Sequence, residues 1–405
     1  MPIKFGPHRI CSFPMNKPLS IMIVAGEASG DSHAARLVDA LREQHPATEL
    51  HFYGCAGRKM KAAGVEAIVD AEGMAIIGIL EVIRELPMFL KAFRKLKSAA
   101  LERRPDALIL VDFPEFNLRL AKTLSKSVPK VIYYISPQVW AWKQKRVQDI
   151  KHNVDQMLSI LPFEKAFYSE HGFEKVTYVG HPIAGSVKPR IGRKEFCERH
   201  GLDPQRALVT LLPGSRRMEI KYTAPVLAEA GELVRSQIEG LQLVVALAPS
   251  RSKDDFESAV FRGGVRKEAL EGLVYVNGET HEALGSADAA AVTSGTATLE
   301  AAVIGTPMCV VYKVSKLNNA AIRPRIKIDT FGLVNLIAGH KIARELIQND
   351  LTAQSLAEEI RRLLDPQVNE RFRAELESVR RSLGKEDASK LAAQAVAREL
   401  DLASD

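Results

Sequence analysis

The sequence predicts an α/β fold of two doubly wound, Rossmann-like domains in series, followed by a helical C-terminal tail. At 405 residues, of which 46% are hydrophobic, the chain exceeds what one compact core usually holds. Short apolar runs alternate with helical patterns, which favours parallel sheets covered by helices on both faces. The same alternation starts again after residue 206, and this repeat predicts the second domain.

Six strand-like runs separated by helical segments predict the first domain. Residues 1–19 precede them as a loose extension containing glycine and proline, and Met15 is an alternative start. The clearest helical patterns cover residues 32–45 and 80–103. The strand-like runs are residues 21–25, 50–53, 107–112, 130–135, 156–160 and 176–179.

Five further strand-like runs predict the second domain. Two prolines, a glycine and a serine interrupt the pattern within residues 181–190. We therefore place the two domains at residues 20–185 and 186–350. The predicted strands are residues 207–212, 241–248, 273–276, 287–292 and 308–312.

Residues 351–405 form the predicted tail. Thr352 is a candidate N-cap for a helix over residues 353–364, because its hydroxyl can accept a bond from a free N–H group in the first turn. Two further helices are predicted near residues 369–383 and 386–400, both rich in Ala, Leu, Arg and Glu. We expect this tail to pack across domains or subunits.

Charge and cysteine content narrow the class of protein. Lys and Arg number 56 against 49 Asp and Glu, and the resulting +7 suits anionic lipid, a phosphorylated substrate or nucleic acid. The four cysteines are far apart and form no Cys-x-x-Cys pair, so we expect reduced thiols and no structural metal in a cytosolic protein. Neither an 18-residue apolar run nor a secretion signal is recognisable in the sequence, so no transmembrane helix is predicted.

Two loops of the second domain have the residues of a nucleotide-sugar donor site. Ser294, Gly295 and Thr296 follow a predicted strand and open a helix, where backbone N–H groups and hydroxyls suit a diphosphate. Glu300, one turn later, is placed to accept bonds from ribose hydroxyls. Ordinary helix capping by the small residues and dipole compensation by the glutamate would produce the same pattern.

The second donor loop follows the predicted strand 207–212. Gly214 and Ser215 allow close approach of the backbone to a ligand, and Arg216 offers a planar guanidinium for phosphate. Because two phosphate-facing loops occur in the same half of the chain, we expect them to form a single donor site.

The first domain has two candidate acceptor loops. Residues 26–31 follow the first strand, so Ser29 and Gly30 are predicted to face the acceptor, although a tight turn with Asp31 as a helix cap would read the same way. Asp112 ends the strand 107–112 and is our predicted general base.

The aromatic neighbours Phe113 and Phe116 should bury the Asp112 carboxylate and raise its pKa. The alternatives are an Asp112 carboxylate that only ties down its own turn, and Glu115 or His33 as the base.

The segment 74–90 is unusually apolar and leads into a series of Lys and Arg residues that ends at Arg104. Such a patch is typical of surfaces that enter an anionic bilayer interface or hold acyl chains. A core helix with a solvated basic face is the alternative. The predicted acceptor and lipid contacts here are Met74, Ile76, Ile77 and Leu80.

Residues 134–146 hold both tryptophans of the chain in the run Tyr-Ile-Ser-Pro-Gln-Val-Trp-Ala-Trp, which a basic cluster follows. Together with several shorter motifs, this run closely resembles the lipid A disaccharide synthase family, in order from about Ile21 to beyond Gln348. The donor loops are also similar to those of two-domain glycosyltransferases of the B type. The shorter motifs are residues 26–31, 112–117, 161–164, 179–182, 212–219, 294–300 and 335–339.

The resemblance implies an inverting glycosyltransferase of lipid A biosynthesis at the cytoplasmic face of the inner membrane. It would join UDP-2,3-diacylglucosamine to the 6-hydroxyl of 2,3-diacylglucosamine 1-phosphate, forming a β-1,6 disaccharide and UDP without a metal; no cofactor is predicted. The resemblance also implies a homodimer that exchanges its C-terminal helices.

The family's motif residues correspond to four positions in this chain. The resemblance assigns the acidic loop residue to Asp112, the phosphate arginine to Arg216, and the donor glutamate and asparagine to Glu300 and Asn335. Two departures stand out. Val334 replaces a common proline, which can shift the donor loop, and Glu115 replaces a frequent aspartate, which weakens a role for that side chain.

Two other functions fit parts of the pattern. A UDP-N-acetylglucosamine 2-epimerase would share the domain plan and donor loops but would have no use for the apolar segment. A nucleotide-regulated peripheral membrane protein without chemistry would use the segment but release no UDP. Nucleic acid ranks last as a partner, because the aromatic residues are not interleaved with a basic stripe on one element.

Overall fold

A computed structural model describes residues 18–73, 86–315, 330–384 and 386–402. These residues form two parallel sheets with helices on both faces, so the predicted fold class is confirmed. The strands read as nearly continuous apolar runs because both faces of each sheet are covered.

The first sheet has seven strands in the order β3-β2-β1-β4-β5-β6-β7. The edge strand β3 was not predicted. The strands are β1 (Leu19–Ala25), β2 (Leu50–Ala56), β3 (Glu66–Asp70), β4 (Ala107–Val111), β5 (Val131–Tyr134), β6 (Gln156–Ser159) and β7 (Val176–Tyr178). The α-helices are α1 (Ala28–Gln44), α2 (Arg58–Ala62), α3 (Leu86–Arg103), α4 (Pro114–Leu124), α5 (Val139–Trp142), α6 (Arg146–Asn153) and α7 (Glu164–Glu170).

The second sheet has six strands in the order β10-β9-β8-β11-β12-β13. Its edge strand β13 was not predicted either. The strands are β8 (Leu208–Leu212), β9 (Gln242–Leu247), β10 (Leu273–Asn277), β11 (Ala289–Thr293), β12 (Met308–Tyr312) and β13 (Glu345–Ile347). The α-helices are α8 (Arg193–Arg199), α9 (Arg217–Gln237), α10 (Lys253–Arg262), α11 (Thr280–Ser286), α12 (Thr296–Ile304) and α13 (Leu333–Ala338).

Each sheet reverses its strand order at one place, between β1 and β4 in the first and between β8 and β11 in the second. Connections leave such a pair of strands in opposite directions, and the crevice between them is where open α/β sheets bind ligands. The predicted base follows β4, and both predicted donor loops follow β8 and β11. The topology therefore places the candidate residues of each half at a ligand-binding crevice.

The tail consists of α14 (Ala353–Leu364), α15 (Pro366–Ser382) and α16 (Ala388–Glu399). The Thr352 hydroxyl accepts a bond from the Ser355 N–H group at the start of α14, as predicted. Helix α14 packs on the second sheet and α15 packs on helices α12, α13 and α14, whereas α16 packs against α1 of the first half. The chain thus returns to the half in which it began.

The chain crosses between the halves twice, after β7 and between α15 and α16, and the two crossings lie side by side. The N–H group of His181 donates to the carbonyl oxygen of Leu383 at 2.9 Å. The Tyr178 hydroxyl donates to the carbonyl oxygen of Ser382 at 2.7 Å. Residues at the start of the first crossing are therefore bonded to residues at the start of the second.

Candidate active site

A cavity of about 770 Å³ opens at the β8–β11 crevice of the second half. Its walls come from the loops after these strands, from the first turns of α11 and α12, and from the segment that enters the domain near Ser186. Seven of the eight predicted donor residues line it: Gly214, Ser215, Arg216, Ser294, Gly295, Thr296 and Glu300. The two loops that the sequence predicts to bind the donor therefore meet at one cavity.

Two glycines give the donor loops their shape. Gly214 has a φ of 105° and Gly295 a φ of 150°. Residues with a side chain rarely adopt these backbone conformations. A Cβ atom at Gly214 would also lie 2.7 Å from the side chain of Glu219. Ser294 donates its hydroxyl hydrogen to the carbonyl oxygen of Phe331 at 3.1 Å, which ties the β11 loop to the segment before α13.

In the β8 loop, Glu219 is hydrogen-bonded to the backbone that was predicted to approach the ligand. Its carboxylate accepts bonds from the N–H groups of Ser215 at 3.0 Å and Arg216 at 3.1 Å. It also pairs with the Arg216 guanidinium, whose side chain is 76% exposed. In this structure an internal carboxylate, rather than solvent, faces these two amides, and the guanidinium extends outward beside it.

Glu300 is less exposed than Arg216 and is paired with His281, which was not predicted from the sequence. The Nε2 atom of His281 is 3.6 Å from the Glu300 carboxylate. Burial raises the pKa of Glu300, and the neighbouring imidazole opposes that shift. His281 lies in the first turn of α11, four residues after the end of β10. Its position after a predicted strand was the signal that could have identified it.

Asn335, the eighth predicted donor residue, does not line this cavity. Its side chain is buried, and its amide nitrogen donates to the carbonyl oxygen of Ala343 at 2.8 Å and to Glu345 at 2.9 Å. Its amide oxygen accepts the Ala343 N–H group at 2.8 Å. Glu345 in turn accepts the N–H groups of Phe331 and Gly332. Asn335 therefore stabilises the segment to which Ser294 is bonded.

Asp112 follows β4 at the crevice of the first half and is not among the residues that line the donor cavity. Burial, with a smaller contribution from the Glu27 carboxylate, raises its pKa from 3.8 to about 6. The rings of Phe113 and Phe116 pack with their centroids 5.4 Å apart, as part of the cluster that covers this loop. The predicted rise in pKa is found, and the carboxylate remains ionised at pH 7.

The two alternative bases are less suitable. Glu115 accepts bonds from Arg146 at 2.6 Å and Lys143 at 2.7 Å, and the Arg146 bond is the largest cause of a pKa near 2. A carboxylate with so low a pKa has little tendency to take a proton. Burial lowers the pKa of His33 to about 4, which makes its imidazole a weak base as well.

The residues predicted to face the acceptor have different surroundings. Ser29 is exposed in the first turn of α1, but Gly30 is buried where the helix meets the sheet, with an added Cβ 3.5 Å from that of Ala25. Asp31 accepts the N–H groups of Gly57, Lys59 and Met60, so it fixes the start of α2 instead of capping its own helix. The predicted lipid contacts Met74, Ile76, Ile77 and Leu80 lie outside the described residues.

The described residues contain neither a cluster of metal ligands nor a membrane-spanning helix. Within residues 18–73, 86–315, 330–384 and 386–402, no three or more His, Cys, Asp or Glu side chains converge as a metal site would require. Over the same part of the chain, no helix combines the length and apolar character needed to cross a bilayer.

Solved structures share the fold at low sequence identity. The UDP-N-acetylglucosamine 2-epimerase from Neisseria meningitidis bound to UDP-GlcNAc aligns with a TM-score of 0.62 and 11% identity, over 94% of this chain and 100% of that chain. The glycosyltransferase of kitacinnamycin aligns with a TM-score of 0.60 and 14% identity, over 95% and 99%. At this identity the likeness concerns the fold alone.

Sequence comparison is more specific. Curated relatives include the lipid-A-disaccharide synthase of Trichlorobacter lovleyi, 42% identical over 375 residues, which covers 91% of this chain and 94% of the relative. The same enzyme of Myxococcus xanthus is 42% identical over 383 residues, which covers 94% and 98%. The family model described as lipid-A-disaccharide synthetase matches residues 21–398. With a cavity at the β8–β11 crevice and full-length relatives at this identity, the chain belongs to the lipid-A-disaccharide synthetase family.

Proposed function

We propose that this chain is a glycosyltransferase of lipid A biosynthesis that transfers 2,3-diacylglucosamine from UDP to the 6-hydroxyl of 2,3-diacylglucosamine 1-phosphate. The products are the β-1,6-linked disaccharide 1-phosphate and UDP. Full-length relatives named lipid-A-disaccharide synthase carry this proposal. The donor-site geometry supports it, because residues from two loops converge on one cavity large enough for a nucleotide sugar.

The proposed reaction is a single displacement at C1 of the donor sugar. Asp112 accepts the proton of the acceptor 6-hydroxyl, whose oxygen bonds to C1 while the bond from C1 to the diphosphate oxygen breaks. The diphosphate leaves with the electron pair, and Arg216 with the first turn of α12 stabilises its charge. Since Asp112 lies outside the donor cavity, the donor sugar must extend from that cavity toward the β1–β4 crevice of the first half.

One assay tests the proposed function against both alternatives. Purified protein is incubated in detergent with UDP-diacylglucosamine and diacylglucosamine 1-phosphate in the presence of EDTA, and products are identified by mass. We expect disaccharide 1-phosphate and an equal amount of UDP. Conversion of UDP-N-acetylglucosamine to its C2 epimer without disaccharide would favour the epimerase. Vesicle binding with no UDP release from any acylated sugar would favour the non-catalytic protein.

Glu300 gives a specific prediction for the donor pocket. If its carboxylate binds the ribose hydroxyls, Glu300→Gln should raise the Kd for UDP about tenfold, the usual effect of losing a charged hydrogen bond. Calorimetry with UDP and with 2′-deoxy-UDP makes the test sharper. Wild-type protein should prefer UDP, and this preference should be smaller in the variant, because a neutral amide oxygen accepts a weaker hydrogen bond than a carboxylate. A variant that keeps the full preference for UDP would show that Glu300 does not contact the ribose.

We also propose that α3 contacts the anionic surface of the inner membrane. Leu86, Leu90 and Leu101 are each nearly half exposed on this helix. Arg94 and Lys97 alternate with them at spacings of three and four residues, so the five side chains share one face. Ala92, Leu96, Ala99 and Ala100 bury the opposite face. An apolar face interrupted by cations is suited to a charged lipid interface.

Vesicle sedimentation tests this surface. Arg94→Glu with Lys97→Glu should lower binding to anionic vesicles at least tenfold, because each basic residue near such a surface contributes about 1 kcal/mol. Lys194→Glu with Lys267→Glu changes the net charge equally at exposed positions of the second half and serves as the control. Equal losses in both variants would assign the binding to net charge instead of to α3. The homodimer remains a further expectation, which light scattering of the purified protein can test.

A further inference from the structure

The backbone at the end of β4 adopts an unusual conformation. Asp112 and the following Phe113 have φ values of 49° and 52°, both in the left-handed region. Two consecutive residues with side chains rarely adopt this region, because the Cβ atom crowds the neighbouring carbonyl oxygen. Such a conformation persists only where the surroundings hold it, and it is concentrated at functional sites.

Two buried side chains hold this conformation by binding the same carbonyl oxygen. The Tyr133 hydroxyl donates to the carbonyl oxygen of Asp112 at 2.7 Å. The Asn117 amide nitrogen donates to the same oxygen at 2.8 Å. A carbonyl oxygen has two lone pairs, so the pair of bonds saturates it. The Asp112 N–H group still continues the sheet by donating to Tyr134, so the chain turns away from the strand within this one residue.

Neighbouring groups fix the other side of the turn. The N–H group of Asn117 donates to the carbonyl oxygen of Phe113 at 3.0 Å, and the Phe113 ring packs on Phe116. A side chain at Gly26 would overlap the Phe113 ring, so the loop after β1 leaves room for this turn. Since Ala25 pairs with Val111, the turn places Asp112 beside the loop that carries Glu27.

We propose that Tyr133 and Asn117 are positioning residues that hold the Asp112 carboxylate in the orientation needed to take the acceptor proton. The proposal rests on the proposed function, in which Asp112 is the base. Neither side chain need touch a substrate, because both act through the main-chain carbonyl of Asp112. Among the described residues, the buried Tyr133 hydroxyl makes no other hydrogen bond.

Tyr133→Phe removes one of these bonds and leaves the ring in place. We expect kcat to fall about tenfold or more, within the range that proton transfer by a positioned side chain contributes. The KM for the UDP donor should not change, because Tyr133 belongs to the first sheet and does not line the donor cavity. A loosened Asp112 loses part of its burial, so the acid limb of the pH–rate profile should move below that of wild type. Asn117→Ala should act in the same direction and provides a second variant.

Tyr134→Phe is the matched control. Tyr134 is the next residue of β5, and its buried side chain lies on the opposite face of the sheet with α1 and α16. This variant removes a buried hydroxyl from the same strand without affecting the Asp112 carbonyl. Melting temperatures of all variants separate a loss of stability from a loss of positioning, since a structural role would lower stability without moving the acid limb.

The outcomes distinguish the positioning role from the proposed function. A lower kcat and a shifted acid limb in Tyr133→Phe, with Tyr134→Phe unchanged, support the inference. Wild-type kcat and acid limb in both Tyr133→Phe and Asn117→Ala, while Asp112→Asn is inactive, would overturn the inference and leave Asp112 as the base. An active Asp112→Asn variant would overturn both the positioning role and the assignment of Asp112 as the base, because no carboxylate would then need positioning, and would leave the glycosyl transfer itself in place.

Discussion

Asp112→Asn is expected to lower turnover by about 10²- to 10⁴-fold, the usual contribution of a general base. Asparagine has nearly the same shape but cannot accept the proton of the acceptor hydroxyl. Product formation measured by mass should reveal the loss, while calorimetry should show unchanged affinity for UDP, because the proposed donor cavity lies in the other half. Wild-type rates in this variant would remove Asp112 from the mechanism.

The raised pKa of Asp112 also predicts how rate and stability respond to pH. Only the ionised carboxylate can act as a base, so kcat/KM of wild type should rise with pH through about 6. A carboxyl whose folded pKa lies above its unfolded value stabilises the protein at low pH, and this contribution is lost as pH rises through about 6. At pH 8 Asp112→Asn should therefore increase the free energy of unfolding, by up to about 3 kcal/mol.

Glu115→Gln is the control for both effects. Its carboxylate is bound by Lys143 and Arg146 and has a pKa near 2, so the substitution should leave the acid limb near pH 6 in place. An acid limb that moves in Glu115→Gln but not in Asp112→Asn would transfer the role of base to Glu115.

Arg216→Ala is expected to lower kcat by about 10²- to 10³-fold, the cost of removing one donor to charge that develops in a transition state. The guanidinium lies at the cavity and is mostly exposed, so folding does not depend on it and the melting temperature should stay close to that of wild type. Arg216→Lys keeps the charge but not the planar pair of donors, and should recover only part of the rate.

Arg217→Ala is the matched control for Arg216. The adjacent arginine is also exposed, but it lines a separate groove with Lys221 and Arg262 instead of the donor cavity. We expect nearly wild-type kinetics from this variant. Equal losses in Arg216→Ala and Arg217→Ala would point to the general positive charge at the start of α9, and not to a specific contact with the leaving diphosphate.

Most strands could be predicted from the sequence because burial on both faces makes them continuous apolar runs. The two missed strands, β3 and β13, lie at sheet edges. No residue of β3 is fully buried, and β13 contains three residues, so neither gives an apolar run that stands out from loop sequence. They are strands because each pairs with a neighbouring strand, and this pairing cannot be seen in the sequence.

The candidate site residues could be predicted where they directly follow a strand. The donor loops and Asp112 follow strands, and the carboxyl ends of parallel strands form the ligand-binding edge. Asn335 shows the limit, because its partners Ala343 and Glu345 are set by how the chain folds back after α13. The same holds for Glu219, whose bonds to the amides of the donor loop depend on the turn at Gly214.

The return of α16 to the first half affects the order in which this protein can be completed during synthesis. Its residues Ala392, Ala393 and Val396 belong to the same buried cluster as Ile21 and Ile23 of β1. Domains generally fold as they leave the ribosome, from the N-terminus onward. Here, however, part of one apolar face of the nascent first half stays uncovered until α16 has been synthesised. The half that emerges first is therefore completed only by α16, and removal of α16 would expose part of its core.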